Sequence, residues 1–225
     1  MHTTRIAIVG AGLAGLYAAY LLEQRGITDY VVLEARERVG GRIASLVPDE
    51  AHASAVFDLG PSWFWPGFQH ALGALVESLG LSSFAQHETG DMVVERSHQM
   101  PPVRMQGFAN QPPSMRLQGG MQALIDALRL RVEFSRLHTG HRLAAQAIAF
   151  TPPLPERLSH QWANTATWMA PHGKYVALYA TPFWREAQLS GEARSLIGPL
   201  GEIHDASHPD GHGALFGFFS LPASA

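Results

Sequence analysis

The chain contains no cysteine. That excludes disulfides, thiolate metal sites and cysteine nucleophiles, and a cytoplasmic location is expected. Charge of one sign is equally scarce. Sixteen Lys and Arg stand against 19 Asp and Glu, a formal charge of −3 without the basic excess that a nucleic-acid partner needs. No apolar run reaches the roughly 20 residues of a membrane span, so no membrane partner is expected. Internal repeats and low-complexity segments are absent too. What is abundant is apolar: 46% of the 225 residues are hydrophobic, enough for a sizeable core and too many for a disordered chain.

The longest apolar stretch is IAIVGAGLAGLYAAYLL, residues 6–22. With Arg5 ahead of it and Ala18 and Ala19 near its end, it loosely has the make-up of a secretory signal. Three glycines interrupt it at Gly10, Gly12 and Gly15, the spacing G-x-G-x-x-G, and their surroundings decide. RIAIV before them reads as a buried parallel strand. LAGLYAAYLLEQRG after them puts Leu13, Leu16, Tyr17, Tyr20 and Leu21 on a helical stripe that ends at Gly26. YVVLE then forms a second strand and closes on Glu34. This is a complete β-turn-α-β unit with an acidic residue about 20 positions beyond the glycines, the context a dinucleotide fingerprint requires. Gly10 suits the tight turn, Gly12 a close backbone approach to pyrophosphate, and Gly15 close helix–strand packing. The helix N-terminus offers N–H groups to phosphate, and Glu34 would accept from a ribose diol.

Directly afterwards comes LEARERVGGR, a second glycine pair followed by arginine. A plain nicotinamide-binding unit needs no such turn. Taken alone, Arg36, Arg38 and Arg42 read as a solvated basic turn, a reading that the adjacent fingerprint disfavours. Together, RIAIVGAGLAGLYAAYLLEQRG and VVLEARERVGGR resemble the N-terminal FAD signature of the flavin-containing amine oxidase (monoamine oxidase-like) family. DLGPSWFW at 58–65 is similar to the family segment that brings backbone and an aromatic residue near the flavin.

The resemblance implies an α/β fold: a Rossmann-like FAD-binding domain intertwined with a mainly antiparallel β substrate domain. It implies non-covalent FAD held by Gly10, Gly12, Leu13, Ala14, Gly15, Glu34, Ala35, Arg36, Gly40, Gly41, Arg42, Gly60, Pro61, Ser62 and Trp63. The expected division is 1–86 for the first part of the FAD domain and 87–116 for a substrate-domain segment. Residues 117–158 return to the FAD domain, and 159–225 form substrate-domain strands and loops.

Further along, Leu72, Leu75, Val76 and Leu79 lie at helical spacing in 68–81, an ordinary core-facing helix. HETGDMVVERS (87–97) reads as a strand pair about a glycine turn, and PPVRMQGFANQPPSM (101–115) as a crossing loop. LQGGMQALIDAL begins an amphipathic helix with Met121, Leu124, Ile125 and Leu128 inward.

In APHGKYVALYATPFWRE, the alternating YVALYA is a strand. Lys174 alone reads as an exposed residue that blunts a sheet edge. The family has a lysine ahead of the same Pro-Phe-Trp, so the resemblance implies that Lys174 is catalytic and holds a water against flavin N5. Trp63, Trp65, Phe183 and Trp184 are candidates to line an apolar substrate site. EIHDASHPDGHG carries His204, His208 and His212 four apart, but Pro209, Gly211 and Gly213 break any helix that would align them. A strand followed by a surface loop is expected there, and no metal.

The implied reaction is oxidation of a small amine at its α-carbon, with a hydride equivalent passing to flavin N5 and oxygen reduced to hydrogen peroxide. Two departures stand against it. Between 138–143 and 150–158, where the family has further strands, this chain has only AAQAIA. The sequence also stops at LFGFFSLPASA, before the family's last FAD and substrate contacts, so the domains are expected to be incomplete. Three readings follow: an amine oxidase, a non-catalytic FAD-binding module, or another FAD enzyme of the superfamily such as a desaturase-like one. Lys174 with the following Pro-Phe-Trp speaks against the third.

Overall fold

The computed structural model describes residues 3–47, 56–142, 152–164, 172–209 and 211–222. Its first unit grows from the glycine motif. Strand β1 (Ile6–Val9) leads through the glycine turn into helix α1 (Leu13–Gln24), which stops before Gly26 at a φ of 66°. Strand β2 (Tyr30–Leu33) returns parallel to β1, with Ile6 opposite Tyr30 and Val9 opposite Leu33. Short β3 (Ser45–Leu46) and β4 (Phe57–Asp58) pair antiparallel, and helix α2 (His70–Ser78) follows. Much later β9 (Leu137–His138) adds a third parallel strand beside β2.

Between them lie β5 (Ser83–Ala85), β6 (Asp91–Glu95), β7 (Val103–Gln106), β8 (Met115–Leu117) and helix α3 (Gln122–Arg129). The core of this unit is built by α1, α2 and α3 together. Leu16 and Ala19 of α1, Val32 of β2, and Leu124, Ile125 and Leu128 of α3 are fully buried. Each of the larger ones, Leu16, Val32, Leu124, Ile125 and Leu128, contributes about 1.5–3 kcal/mol. The stripe expected on α1 is shifted: Leu22 packs against this core with Leu13, Tyr17 and Tyr20, whereas Leu21 does not.

The second unit is a six-stranded sheet. Helix α4 (Glu156–Asn164) precedes β10 (His172–Tyr179); then come the single-turn α5 (Phe183–Glu186), β11 (Leu189–Ser195), β12 (Leu200–Asp205) and β13 (Gly213–Pro222). The strand order is β10-β13-β12-β11-β6-β7, antiparallel throughout except between β6 and β11. The fold is thus a Rossmann-like unit intertwined with a mainly antiparallel one. The expected divisions at 116/117 and 158/159 cut through β8 and α4, so element ends lie elsewhere.

Three local expectations are corrected. Residues 87–97 hold one strand, β6, not a pair; its antiparallel partner is β7. Residues 101–115 are therefore not simply a crossing loop, since they contain β7 and the start of β8. All four residues of β7 are exposed, so burial imposes no hydrophobic alternation on them. The stretch after His204 is not a surface loop either: Asp205, Ala206, Ser207 and His208 are buried. The buried guanidinium of Arg116 donates to the carbonyls of Ser207 and Ala206, both at 3.0 Å, and draws this segment inward. The gap segment AAQAIA lies outside the described residues.

Candidate functional site

At the glycine turn, Gly10 has a φ of 97°, which a side chain would strain. A Cβ on Gly15 would lie 1.9 Å from the Gly10 carbonyl oxygen, so the helix can rest on the turn only because that position is bare. Gly12 precedes α1 in extended conformation, and no side chain caps the helix. The second glycine pair folds against the first. Gly40 N–H donates to the Ala11 carbonyl at 2.8 Å, and a Cβ on Gly41 would sit 3.2 Å from Gly12 Cα. The result is a cleft of bare backbone facing the positive end of a helix, suited to an anion.

The arginines of the turn divide their work. Arg38 is a brace whose guanidinium donates to the carbonyls of Ile43 at 3.2 Å and Gly41 at 3.1 Å. Arg36 and Arg42 line the cavity. Glu34 is buried: its Oε2 accepts Ala11 N–H at 2.8 Å and its Oε1 accepts Arg36 N–H at 2.9 Å. Burial pushes its pKa up. The N–H groups of Arg36 and Ala11, with the Arg36 charge, outweigh that and hold it below the usual carboxylate range. Two oxygens with further lone pairs remain to accept hydroxyls.

The other end of the site is built by DLGPSW and β10. Lys174 Nζ donates to Ser62 Oγ at 2.8 Å and to the Gly60 carbonyl at 3.2 Å. It lies 3.9 Å from the centroid of the Phe216 ring, with Phe218 beside it at 5.9 Å. Both rings come from β13, on which Phe218 is the register partner of Lys174. Although β10 stands at a sheet edge, this lysine is turned inward. Burial brings its pKa down to about 8, Asp58 pulls it upward, and Arg116 lowers it further. Gly60 is fixed by contact with the GGR turn, since a Cβ there would lie 2.1 Å from the Arg42 carbonyl oxygen. Asp58 Oδ1 accepts Ser45 Oγ at 2.6 Å and Met121 N–H at 2.8 Å, which ties β3, β4 and the start of α3 together beneath the site.

One cavity of about 940 Å³ joins the two ends. Of the expected residues, Gly12, Leu13, Ala14, Arg36, Gly40, Gly41, Arg42, Gly60, Pro61, Ser62, Trp63 and Lys174 line it. Gly10, Gly15, Glu34 and Ala35 are not among its lining residues; Glu34 is buried and Ala35 exposed. Sequence reasoning missed Tyr17, Leu72, Leu75, Phe216 and Phe218 as wall residues. Leu72 and Leu75 serve core and cavity at once, so a core-facing stripe hides the second role. The period-two pair Phe216 and Phe218 was a readable signal, but only once β13 is paired with β10. Among the proposed aromatic linings, only Trp63 reaches this cavity. Trp65 donates its indole N–H to Ser114 Oγ at 3.0 Å, Trp184 donates to Asp205 Oδ2 at 2.8 Å, and Phe183 is exposed.

The lowered pKa of Lys174 has a consequence for stability. Between about pH 8 and the ordinary value of 10.5, the unfolded chain keeps this proton and the folded chain has lost it. Stability therefore rises with pH across that window; below about 8 both states are protonated and the burial cost stays constant. Tyr30 acts oppositely above its ordinary value of 10, because burial and the Glu23 hydrogen bond raise its pKa to about 12. From pH 8 to 10, Lys174→Met is expected to abolish a rise of about 1–3 kcal/mol, read from urea melts of both proteins. An equal rise in the variant would contradict this origin.

Residues 8–79 match the model of the NAD(P)-binding Rossmann-like domain. Putrescine oxidase of Kocuria rosea is 43% identical over 88 residues, which cover 39% of this chain and 17% of that protein. The flavin-containing amine oxidase B of Bos taurus is 36% identical over 88 residues, 39% of this chain and 16% of that protein. The aligned regions thus span about a sixth of these curated relatives. A solved structure of wild-type putrescine oxidase bound to putrescine superposes with a TM-score of 0.79 at 22% identity. That superposition covers 98% of this chain and 76% of the other, a likeness of fold.

Proposed function

We propose that this relative of the flavin-containing amine oxidases binds FAD non-covalently in the 940 Å³ cavity and oxidises a small amine at its α-carbon. The observation that carries the reading is the continuity of that cavity. It runs without a break from the bare glycine cleft to a half-buried, hydrogen-bonded lysine.

The residues present fit the group. The cavity is near the upper end of the roughly 300–1,000 Å³ usual for small-molecule sites. Gly12 to Ala14 and Gly40 to Arg42 would hold the pyrophosphate, Arg42 by its fork of donors, with Arg36 nearby. Glu34 would take the ribose hydroxyls, and Gly60 to Trp63 would border the ring system. When bound, FAD supplies the two-electron acceptor, taking a hydride equivalent from the amine and passing the electrons to oxygen. Lys174 has three donors in its charged form, of which Ser62 and Gly60 take two, and the third orients a water. The rings of Trp63, Phe216 and Phe218 make an apolar wall that favours the uncharged amine, whose nitrogen lone pair the reaction needs. In this reading the unit around β1, β2 and β9 holds the cofactor and the six-stranded sheet faces the substrate.

A second reading, FAD binding without turnover, is favoured by one observation. Leu59 lines the cavity yet is 45% exposed, which leaves the ring end wet rather than closed. No helix among the described residues is long and apolar enough to cross a membrane.

The binding step is tested by mixing the purified chain with FAD and passing it over a desalting column. A flavin band that elutes with the protein is the expected result. Protein free of flavin at saturating FAD would overturn the proposal.

A further inference from the structure

Of the 16 Lys and Arg residues, Lys174 is the only lysine. The chain thus has a single side-chain primary amine, and the fold does not spend it on the surface. Lys174 lines the cavity of about 940 Å³, its Nζ 3.9 Å from the centre of the Phe216 ring and 2.8 Å from Ser62 Oγ. Among the described residues no carboxylate forms an ion pair with it. Asp58 acts on it through charge alone, since its Oδ1 is taken up by Ser45 Oγ and Met121 N–H. An amine that opens on an apolar cavity without a bound counter-ion is the arrangement in which lysine serves as a nucleophile toward carbonyl groups.

We propose that Lys174 is a covalent site for aldehydes, capturing an uncharged alkyl or aryl aldehyde as an imine inside the cavity. The Nζ electron pair adds to the carbonyl carbon and forms the C–N bond; the C–O bond then breaks and the oxygen departs as water. Lysine ammonium and aldehyde give protonated imine and water, so the charge is conserved and nothing is oxidised or reduced.

The surroundings suit each stage. Burial brings the Lys174 pKa down to about 8, which raises the uncharged share at pH 7.5 roughly a hundredfold over an ordinary lysine. Ser62 Oγ, both donor and acceptor, can hand a proton toward the departing oxygen and then accept from the N–H of the protonated imine. The Phe216 face attracts that cation as it does the ammonium. Trp63, Leu72, Leu75 and Phe218 give the aldehyde's chain an apolar wall. A carboxylate on the aldehyde would find poor company there. Arg116, the cation whose charge reaches Lys174, is buried and donates to the carbonyls of Ser207 and Ala206.

The test mixes the full chain with benzaldehyde and sodium cyanoborohydride near pH 7.5, and peptide mass mapping locates the benzyl group. Only the chain's α-amino group competes, and the map separates the two. Labelling of Lys174 is expected to saturate with benzaldehyde and to run at least tenfold faster than in the chain unfolded by guanidinium chloride. Labelling by 4-carboxybenzaldehyde is expected to be at least fivefold slower. Lys174 labelled no faster folded than unfolded, label confined to the α-amino group, or equal rates with the two aldehydes would overturn the inference. The capture needs lysine and cavity but no flavin, so a failure to retain FAD, measured separately, would sink the earlier reading and leave this one standing.

Discussion

Lys174→Met is expected to slow the reduction of bound flavin by an amine about 10²- to 10⁴-fold, the range typical for loss of a positioned proton-handling group. Methionine fills nearly the same space and keeps the contact with Phe216, but it cannot donate. Ser62 Oγ and the Gly60 carbonyl, now 2.8 and 3.2 Å from Nζ, would lose their shared partner, and no side chain would hold the water. The readout is the rate of flavin bleaching after mixing with amine in the absence of oxygen, with flavin content measured beforehand. A variant that retains flavin and reduces it within threefold of the parent rate would remove Lys174 from the chemistry.

Gly15→Ala is the second large effect. The added methyl would stand 1.9 Å from the Gly10 carbonyl oxygen and 3.1 Å from its carbon, both backbone atoms of the turn that cannot rotate away, and 3.3 Å from the Ile8 side-chain Cγ2. Helix α1 must back away, at about 2–4 kcal/mol, and its N-terminus leaves the cavity. Gly12→Ala provides the contrast. Its Cβ would find only Gly41 Cα at 3.9 Å, so stability should change by less than about 1 kcal/mol while the cleft itself is narrowed. Urea melts and flavin retention read the pair together. The expected pattern is Gly15→Ala losing both stability and flavin, and Gly12→Ala losing chiefly flavin. Equal stability of the two variants would contradict the packing argument.

These two glycines also show why part of the molecule was legible in its sequence. The β-turn-α-β unit is local: strand, turn, helix and acidic residue fall within residues 6–34, and each obeys a period or a spacing. The family resemblance that residues 6–42 carry is the one borne out by the sequence relatives. Helices α2 and α3 were readable for the same reason, because their stripes face one core; Met121, Leu124, Ile125 and Leu128 are all buried.

What escaped the sequence depends on distant partners. Strand β7 is exposed on both faces and advertises nothing. The inward course of residues 205–208 is dictated by Arg116, some 90 positions earlier. Lys174 looked like an edge lysine because its acceptors, Gly60 and Ser62, stand more than 110 residues before it. The resemblance, not periodicity, pointed to its role. Trp184 was misjudged as a lining residue because only the fold brings Asp205 to its indole N–H.

The central claim is that one cavity holds both a flavin and a reacting amine beside Lys174. Its most direct test is the visible absorbance of the FAD-loaded chain, recorded without oxygen before and after adding each of a panel of small primary amines. The account predicts that the flavin band bleaches and returns when air is admitted. A band that stays unchanged through both steps, across diamines and monoamines alike, would contradict it.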